Sequence, residues 1–198
     1  MNLTGLATVL EMDFCRRRAP WLAIALMEQG VKEVGGLDDN NPRVLAYLAS
    51  FSYLAKVDHL IKNPADPKGA MIKSDYKANE VDETAWCACF VNWCLRQSYQ
   101  DTSGMNAGAQ GWKRFGRSLS QPRVGAIATV FKEPNKKTAS MTTTGWHVAF
   151  YLGGPPESPT LLGGNQHNMV CTKAFYGYQI HYRWPSTFLA PKSHSRFA

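Results

Sequence analysis

The chain has 198 residues, a length that folds most simply as one domain and that buries about 70% of its unfolded surface. With 44% hydrophobic, 12% aromatic and 19% charged residues and neither repeat nor low-complexity tract, the composition excludes a disordered, fibrous or solenoid chain. The net charge of +7 is spread over Lys62, Lys68, Lys73, Lys77, Lys132, Lys136 and Lys137 with one cluster at Arg16, Arg17 and Arg18. Such a field favours polyanions without choosing among nucleic acid, a membrane surface and the anionic bacterial envelope, and no basic helix interleaved with aromatics marks nucleic-acid binding.

In chain order, Leu3, Leu6, Leu10 and Phe14 predict a short amphipathic helix. The stretch RRRAPWLAIALMEQG has the charged and apolar parts of a leader, but it starts late and Glu28 and Gln29 interrupt its apolar run, so it reads as a helix opened by Pro20. Trp21, Ile24, Ala25 and Val31 would form its apolar stripe. GGLDDNN is a turn, and Pro42 opens the helical pattern RVLAYLASFSYLAK. Residues 58–80 are polar and lysine-rich with Pro64 and Pro67, which predicts a loop insertion, and residues 1–19 form an N-terminal extension of the single domain. Further helices are expected from Asp82–Thr84 to Gln97 and from Ala107 to Phe115. From Val124 onward the runs GAIATVF, WHVAFYLGG, TLLGG, NMVCTKAF and YQIHYRWP read as antiparallel strands, with a Lys/Thr/Ser loop over 132–144. Helices followed by a meander is an α+β pattern, and no run reaches the roughly 18 apolar residues of a membrane span.

Five cysteines, three of them crowded into ETAWCACFVNWC, do not form a spaced disulfide framework. On a helix Cys87 and Cys94 lie about 10 Å apart along the axis, too far for one zinc ion, while Cys89 points nearly the opposite way. No metal or organic cofactor is expected. Cys89 and Cys94 read as core thiols. Cys87 differs because, with Asp82 or Thr84 as the cap, it falls in the first turn, where unpaired N–H groups and the helix dipole favour a thiolate. It is then either a buried thiol or a nucleophile.

A nucleophilic thiol needs a base. His59 and His194 lie in polar stretches and His181 faces away from Ile180 and Tyr182, whereas His147 opens a strand whose other face carries Trp146, Val148, Phe150 and Leu152. On the next strand LLGGNQHN offers Asn165 and Gln166, amides able to hold a histidine tautomer, though Gly and Asn also make ordinary turns.

With WCACFVNWCL on a helix, HVAFYLG on a strand and LLGGNQ on the next, the chain resembles the CHAP and NlpC-type cysteine peptidases, relatives of papain. It is most similar to a bacterial and phage subgroup in which PWLAIA, NPRVLAYL, ETAWCACFVNWCL, GWHVAFYLGG, LLGGNQ and an ending like YRWP recur in that order, over Pro20 to Pro185. The resemblance implies a papain-like NlpC/CHAP fold, with N-terminal helices packed on a C-terminal antiparallel sheet and Cys87 at a helix N-terminus. It implies Cys87 as nucleophile, His147 as base and then acid, Asn165 as orienting residue with Gln166 as the alternative, and the Cys87 N–H in an oxyanion hole. Tyr76 would lend a hydroxyl to that hole. The chain departs from the family pattern at Gly163, where many CHAP enzymes carry Glu, and at Ala126, where an acidic residue is usual.

The implied activity is hydrolysis of amide bonds in bacterial peptidoglycan. The resemblance further implies a protein made in the cytoplasm without a cleaved leader that acts in a target bacterium's periplasm or cell wall, as a type VI secretion effector or a phage lysis enzyme. A secretion component and a cognate immunity protein would be its partners, with neither nucleic acid nor a membrane span. A papain-like deamidase or acyl-transfer enzyme acting on protein, and a non-catalytic binding domain on the same fold, are the alternatives.

Overall fold

Proline sets the start of two helices of the computed structural model, which describes residues 12–13, 15–35, 39–56, 58–62, 71–82, 84–132 and 145–188, with backbone alone for 58–62 and 71–76. Helix α1 (Pro20–Met27) and helix α2 (Pro42–Leu48) each carry proline in the first turn, where its missing N–H leaves no bond unmade. The Asn41 side chain caps α2 by accepting the Arg43 N–H at 2.8 Å. Helix α3 (Cys87–Gln97) follows, with 3₁₀ turns at Ser52–Lys56 and Ala109–Arg114. Apart from Met12 and Asp13, the helix expected over 1–14 lies outside the described residues, as do residues 133–144 of the Lys/Thr/Ser loop.

Four expectations change. The helical pattern opened by Pro42 stops at Leu48, and Ser52–Lys56 forms a 3₁₀ turn in place of its continuation. The predicted stripe on α1 is instead a helix buried around most of its circumference at Trp21, Leu22, Ala23 and Ala25, because α3, the strand Thr160–Gln166 and the Trp184 ring all pack against it. The predicted helix over Ala107–Phe115 is a 3₁₀ turn, consistent with Gly108 and Gly111 in so short a segment. The segment 58–80, expected as a loop, holds an antiparallel pair of strands, β1 (Asp58–Lys62) and β2 (Met71–Lys77), set by the apolar residues Leu60, Ile61, Met71 and Ile72 in its polar background.

The main sheet contains β3 (Arg117–Ser118), β4 (Ile127–Phe131), β5 (Trp146–Gly153), β6 (Thr160–Gln166), β7 (Met169–Ala174) and β8 (Gln179–Trp184), in the order β3-β8-β4-β5-β6-β7 and antiparallel throughout. The architecture is α+β: β4 to β7 form the expected meander, and β8 returns to pair with β4. Helix α3 packs on β5 and β6, burying Phe90 against Phe150 with ring centroids 6.2 Å apart. Along the β7 edge, the Gly30 N–H donates to Val170 O and the Val170 N–H donates to Val31 O, which covers a strand border that would otherwise be open. Among the described residues, no helix is long and apolar enough to cross a membrane.

The three helices are tied by a polar cluster. Glu28, just past α1, accepts hydrogen bonds from Arg43 Nε at 2.6 Å, Arg43 Nη2 at 2.5 Å and the Tyr47 hydroxyl at 2.5 Å. Burial raises the carboxyl pKa, but the Arg43 and Tyr47 contacts outweigh it and hold Glu28 below its ordinary value. Arg43 also lies over the Trp93 ring of α3, 4.5 Å from its centroid. Glu28→Ala leaves the buried Tyr47 hydroxyl and one face of Arg43 without their acceptor. It is expected to cost about 3 kcal/mol, less than for a fully buried pair because the Arg43 side chain is 47% exposed. Urea unfolding of both proteins checks this, and a change below about 1 kcal/mol would show that the cluster does not tie the helices.

Candidate active site

Cys87 is the first residue of α3, and Trp86 occupies the N-cap. The expected caps act elsewhere. Asp82 accepts the N–H groups of Val34 and Asn41, each at 2.9 Å, and the Thr84 hydroxyl donates to Ala78 O at 2.7 Å. Trp86 makes no side-chain cap, so the N–H groups of the first turn are left for whatever lies beside Cys87. The Trp86 indole is fixed by donating to Glu33 Oε1 at 2.6 Å.

The Cys87 thiol is 5% exposed. Burial raises its pKa, opposed by the nearby backbone groups of Val148, Ala88 and Cys87 itself. The net direction is upward, so the expected lowering at the helix terminus is outweighed by desolvation and the resting group is a neutral thiol. Cys89 and Cys94 are also buried, and desolvation raises both.

His147 lies on β5 immediately before Val148. Its Nε2 meets Gln166 Oε1 at 3.2 Å, and the ring stacks on Phe175 with centroids 5.7 Å apart and planes 15° apart. Gln166 is 3% exposed, and its amide N–H donates to Cys171 O, which fixes which end of the amide faces the imidazole. Since Oε1 can only accept, Nε2 carries the proton and Nδ1 is left as the acceptor. Burial drives the His147 pKa down to about 4, so the ring is neutral at pH 7.

A one-residue bulge selects Gln166 over Asn165. Extending the Phe150–Leu162 register of β5 and β6 would set Asn165 opposite His147. On the other border of β6, however, the register slips between the Gly163–Cys171 and Gln166–Met169 pairs, so Gly164 and Asn165 together oppose Val170. Asn165 takes up the extra residue in the left-handed region at φ 57°, and Gln166 then turns to the side that Gly163 faces. The turn sits after GGNQ, at His167 and Asn168, whose φ values of 56° and 59° suit a two-residue hairpin of type I′.

Gly163 and Gly164 face opposite ways. A Cβ at Gly163 would lie 2.7 Å from Ala149 Cβ and 3.2 Å from His147 Nε2, which leaves no room for the glutamate that the family pattern places there. A Cβ at Gly164 would run into the Trp86 ring and lie 2.7 Å from Phe90 Cβ. The imidazole–amide pair and α3 therefore flank the β5–β6 ladder from its two sides, and the thiol reaches that ladder at the Val148 N–H. Cys87 and His147 are thus brought to adjacent residues of β5, but no hydrogen bond joins the sulfur to the ring. The Tyr76 side chain lies outside what the structure describes, and its backbone is in β2.

Sequence reasoning missed the Val148 N–H, the Phe175 ring over the imidazole and the Cys171 carbonyl on Gln166. A backbone donor leaves no residue signal. Phe175 follows a strand whose residues alternate between buried and exposed, and an aromatic at that border was the available hint. Among the described residues, no three His, Cys, Asp or Glu side chains come together as a metal site would need. No protein-family model matches the chain, and neither curated proteins nor solved structures contain a match.

The His147 shift has a consequence for stability. Below its ordinary value of 6.5 the unfolded imidazole takes up a proton that the folded one, with a pKa of about 4, refuses. The contribution to stability is therefore complete above pH 6.5 and is lost as the pH falls toward 4, by about 3 kcal/mol. Urea unfolding at pH 7 and pH 4 should show that extra loss in the wild type relative to His147→Gln, and equal losses in both would mean the ring is not held neutral by burial.

Proposed function

We propose that the protein is a cysteine-dependent amide hydrolase acting on bacterial peptidoglycan, on a papain-like variant of the α+β fold. The observation that carries the reading is the Cys87 thiol at a helix N-terminus without a side-chain cap, met by backbone N–H groups that include that of Val148, the residue after His147. The peptidoglycan assignment rests on the motif order WCACFVNWCL, HVAFYLG and LLGGNQ, and the positive net charge suits an anionic wall.

In this mechanism Cys87 Sγ attacks the carbonyl carbon of the amide while its proton passes to His147 Nδ1. The tetrahedral oxyanion is received by the first-turn N–H groups of α3. His147 then delivers the proton to the departing amine as the C–N bond breaks, leaving a thioester on Cys87. Water, deprotonated by the same ring, attacks the thioester and releases the acid and the thiol. Gln166 keeps Nε2 protonated throughout, so that Nδ1 is the basic atom. Because the resting thiol and imidazole are both neutral, acylation is a concerted transfer rather than attack by a preformed thiolate. This transfer requires the imidazole, held on the face of β6 opposite α3, to come within reach of Sγ around the end of the β5–β6 pairing in the substrate complex. Delivery into the periplasm of a target cell, as an effector or a lysis enzyme, is the setting such an activity requires.

Purified sacculi digested with the wild type should yield soluble fragments whose new termini, read by mass spectrometry, identify the bond. Cys87→Ala should yield none, and His147→Ala should lose roughly 10²–10⁴-fold in rate. Gln166→Ala should lose more than Asn165→Ala. Sacculi of several chemotypes left intact by the wild type would overturn the wall assignment, and a fully active His147→Ala would overturn the base.

A further inference from the structure

We propose that Lys173, with the Phe175–Tyr178 ring pair, forms a subsite beside His147 that receives a carboxylate of the substrate next to the scissile amide. This rests on the hydrolase reading and specifies the substrate class that the site takes.

The side chains gather around Phe175. Phe175 stacks on His147, Lys173 Nζ lies 5.6 Å from the Phe175 ring centroid, and Tyr178 meets Phe175 edge-on at 5.1 Å. Lys132 Nζ lies 5.3 Å from the Tyr178 ring, a second cation on the same aromatic pair. Phe175 is buried, whereas Lys173 and Tyr178 are partly buried, so ligand can reach the lysine beside a ring that is already fixed.

A lysine stem resting on an aromatic ring is ordinary packing on an open surface. Three features separate Lys173 from that case. It is partly buried, and among the described residues the ion pairs join Arg17 to Asp13 and Arg43 to Glu28, leaving no carboxylate in reach of its ammonium. Its charge is felt at His147, where it adds to the lowering by burial, and at Cys171, where burial outweighs it and the thiol is pushed up. It therefore opposes the imidazolium that proton transfer must create, an effect a substrate anion at Lys173 would cancel. A cation that hinders the base when the site is empty and stops hindering it when an anionic substrate binds couples recognition to reactivity. Peptidoglycan stem peptides offer this chemistry, because a glutamate linked through its side chain keeps a free α-carboxylate beside an amide bond.

The test uses two stem peptides that differ only in having this α-carboxylate free or amidated, titrated by calorimetry into the full chain carrying Cys87→Ala. The free acid should bind about tenfold more tightly than the amide. Adding Lys173→Met should remove the difference, and Lys173→Arg should keep it. Equal affinities, absence of binding by either peptide, or a preference that survives Lys173→Met would overturn the subsite. If the preference holds but the wild type cuts neither peptide nor sacculi, the hydrolase reading fails while the carboxylate site stands.

Discussion

Two adjacent glycines in β6 set how closely the Cys87 helix and the His147 strand can approach. Gly164 has no side chain because Trp86 and Phe90 fill its space, and Gly163 has none because Ala149 and the His147 ring fill the other side. A methyl group at Gly164 would lift the N-terminal turn of α3 off the sheet and withdraw the thiol from the Val148 N–H. One at Gly163 would push the imidazole away from Gln166. The site thus depends on a strand thin enough on both faces to be gripped by a helix on one and an imidazole on the other, and packing in protein interiors leaves little room to adjust.

The electrostatics follow from that packing. A helix N-terminus favours a thiolate, and a carboxylate or hydroxyl cap would have competed for the same N–H groups. Here Trp86 provides no cap, yet the close packing that seats the thiol also removes water from it, and desolvation wins. The same burial neutralises His147. Both groups rest uncharged, and the protein supplies orientation in place of charge: an amide at Nε2 and a ring beneath the imidazole.

Much of this was legible in the order of residues. The strands of the C-terminal half fall on the short apolar or alternating runs that mark them, and Cys87 falls at a helix start as its position after Glu83–Trp86 suggests. The cap was not legible, because Asp82 and Thr84 have the right chemistry but spend it on Val34, Asn41 and Ala78, distant or earlier partners that no local pattern reveals. The choice between Asn165 and Gln166 was not legible either. It turns on a single extra residue in β6, and a bulge inverts which of two neighbouring side chains faces the partner strand. The strand pair within 58–77 was hidden by its lysines, since only four central apolar residues mark it.

His147 is held neutral, with its tautomer fixed by Gln166. Nitrogen-15 NMR of the imidazole measures this directly. The predicted result at pH 7 is a neutral ring protonated at Nε2 and bare at Nδ1, with titration near pH 4 and loss of the fixed tautomer in Gln166→Ala. A ring protonated at Nδ1, or one titrating near its ordinary 6.5, would contradict the account.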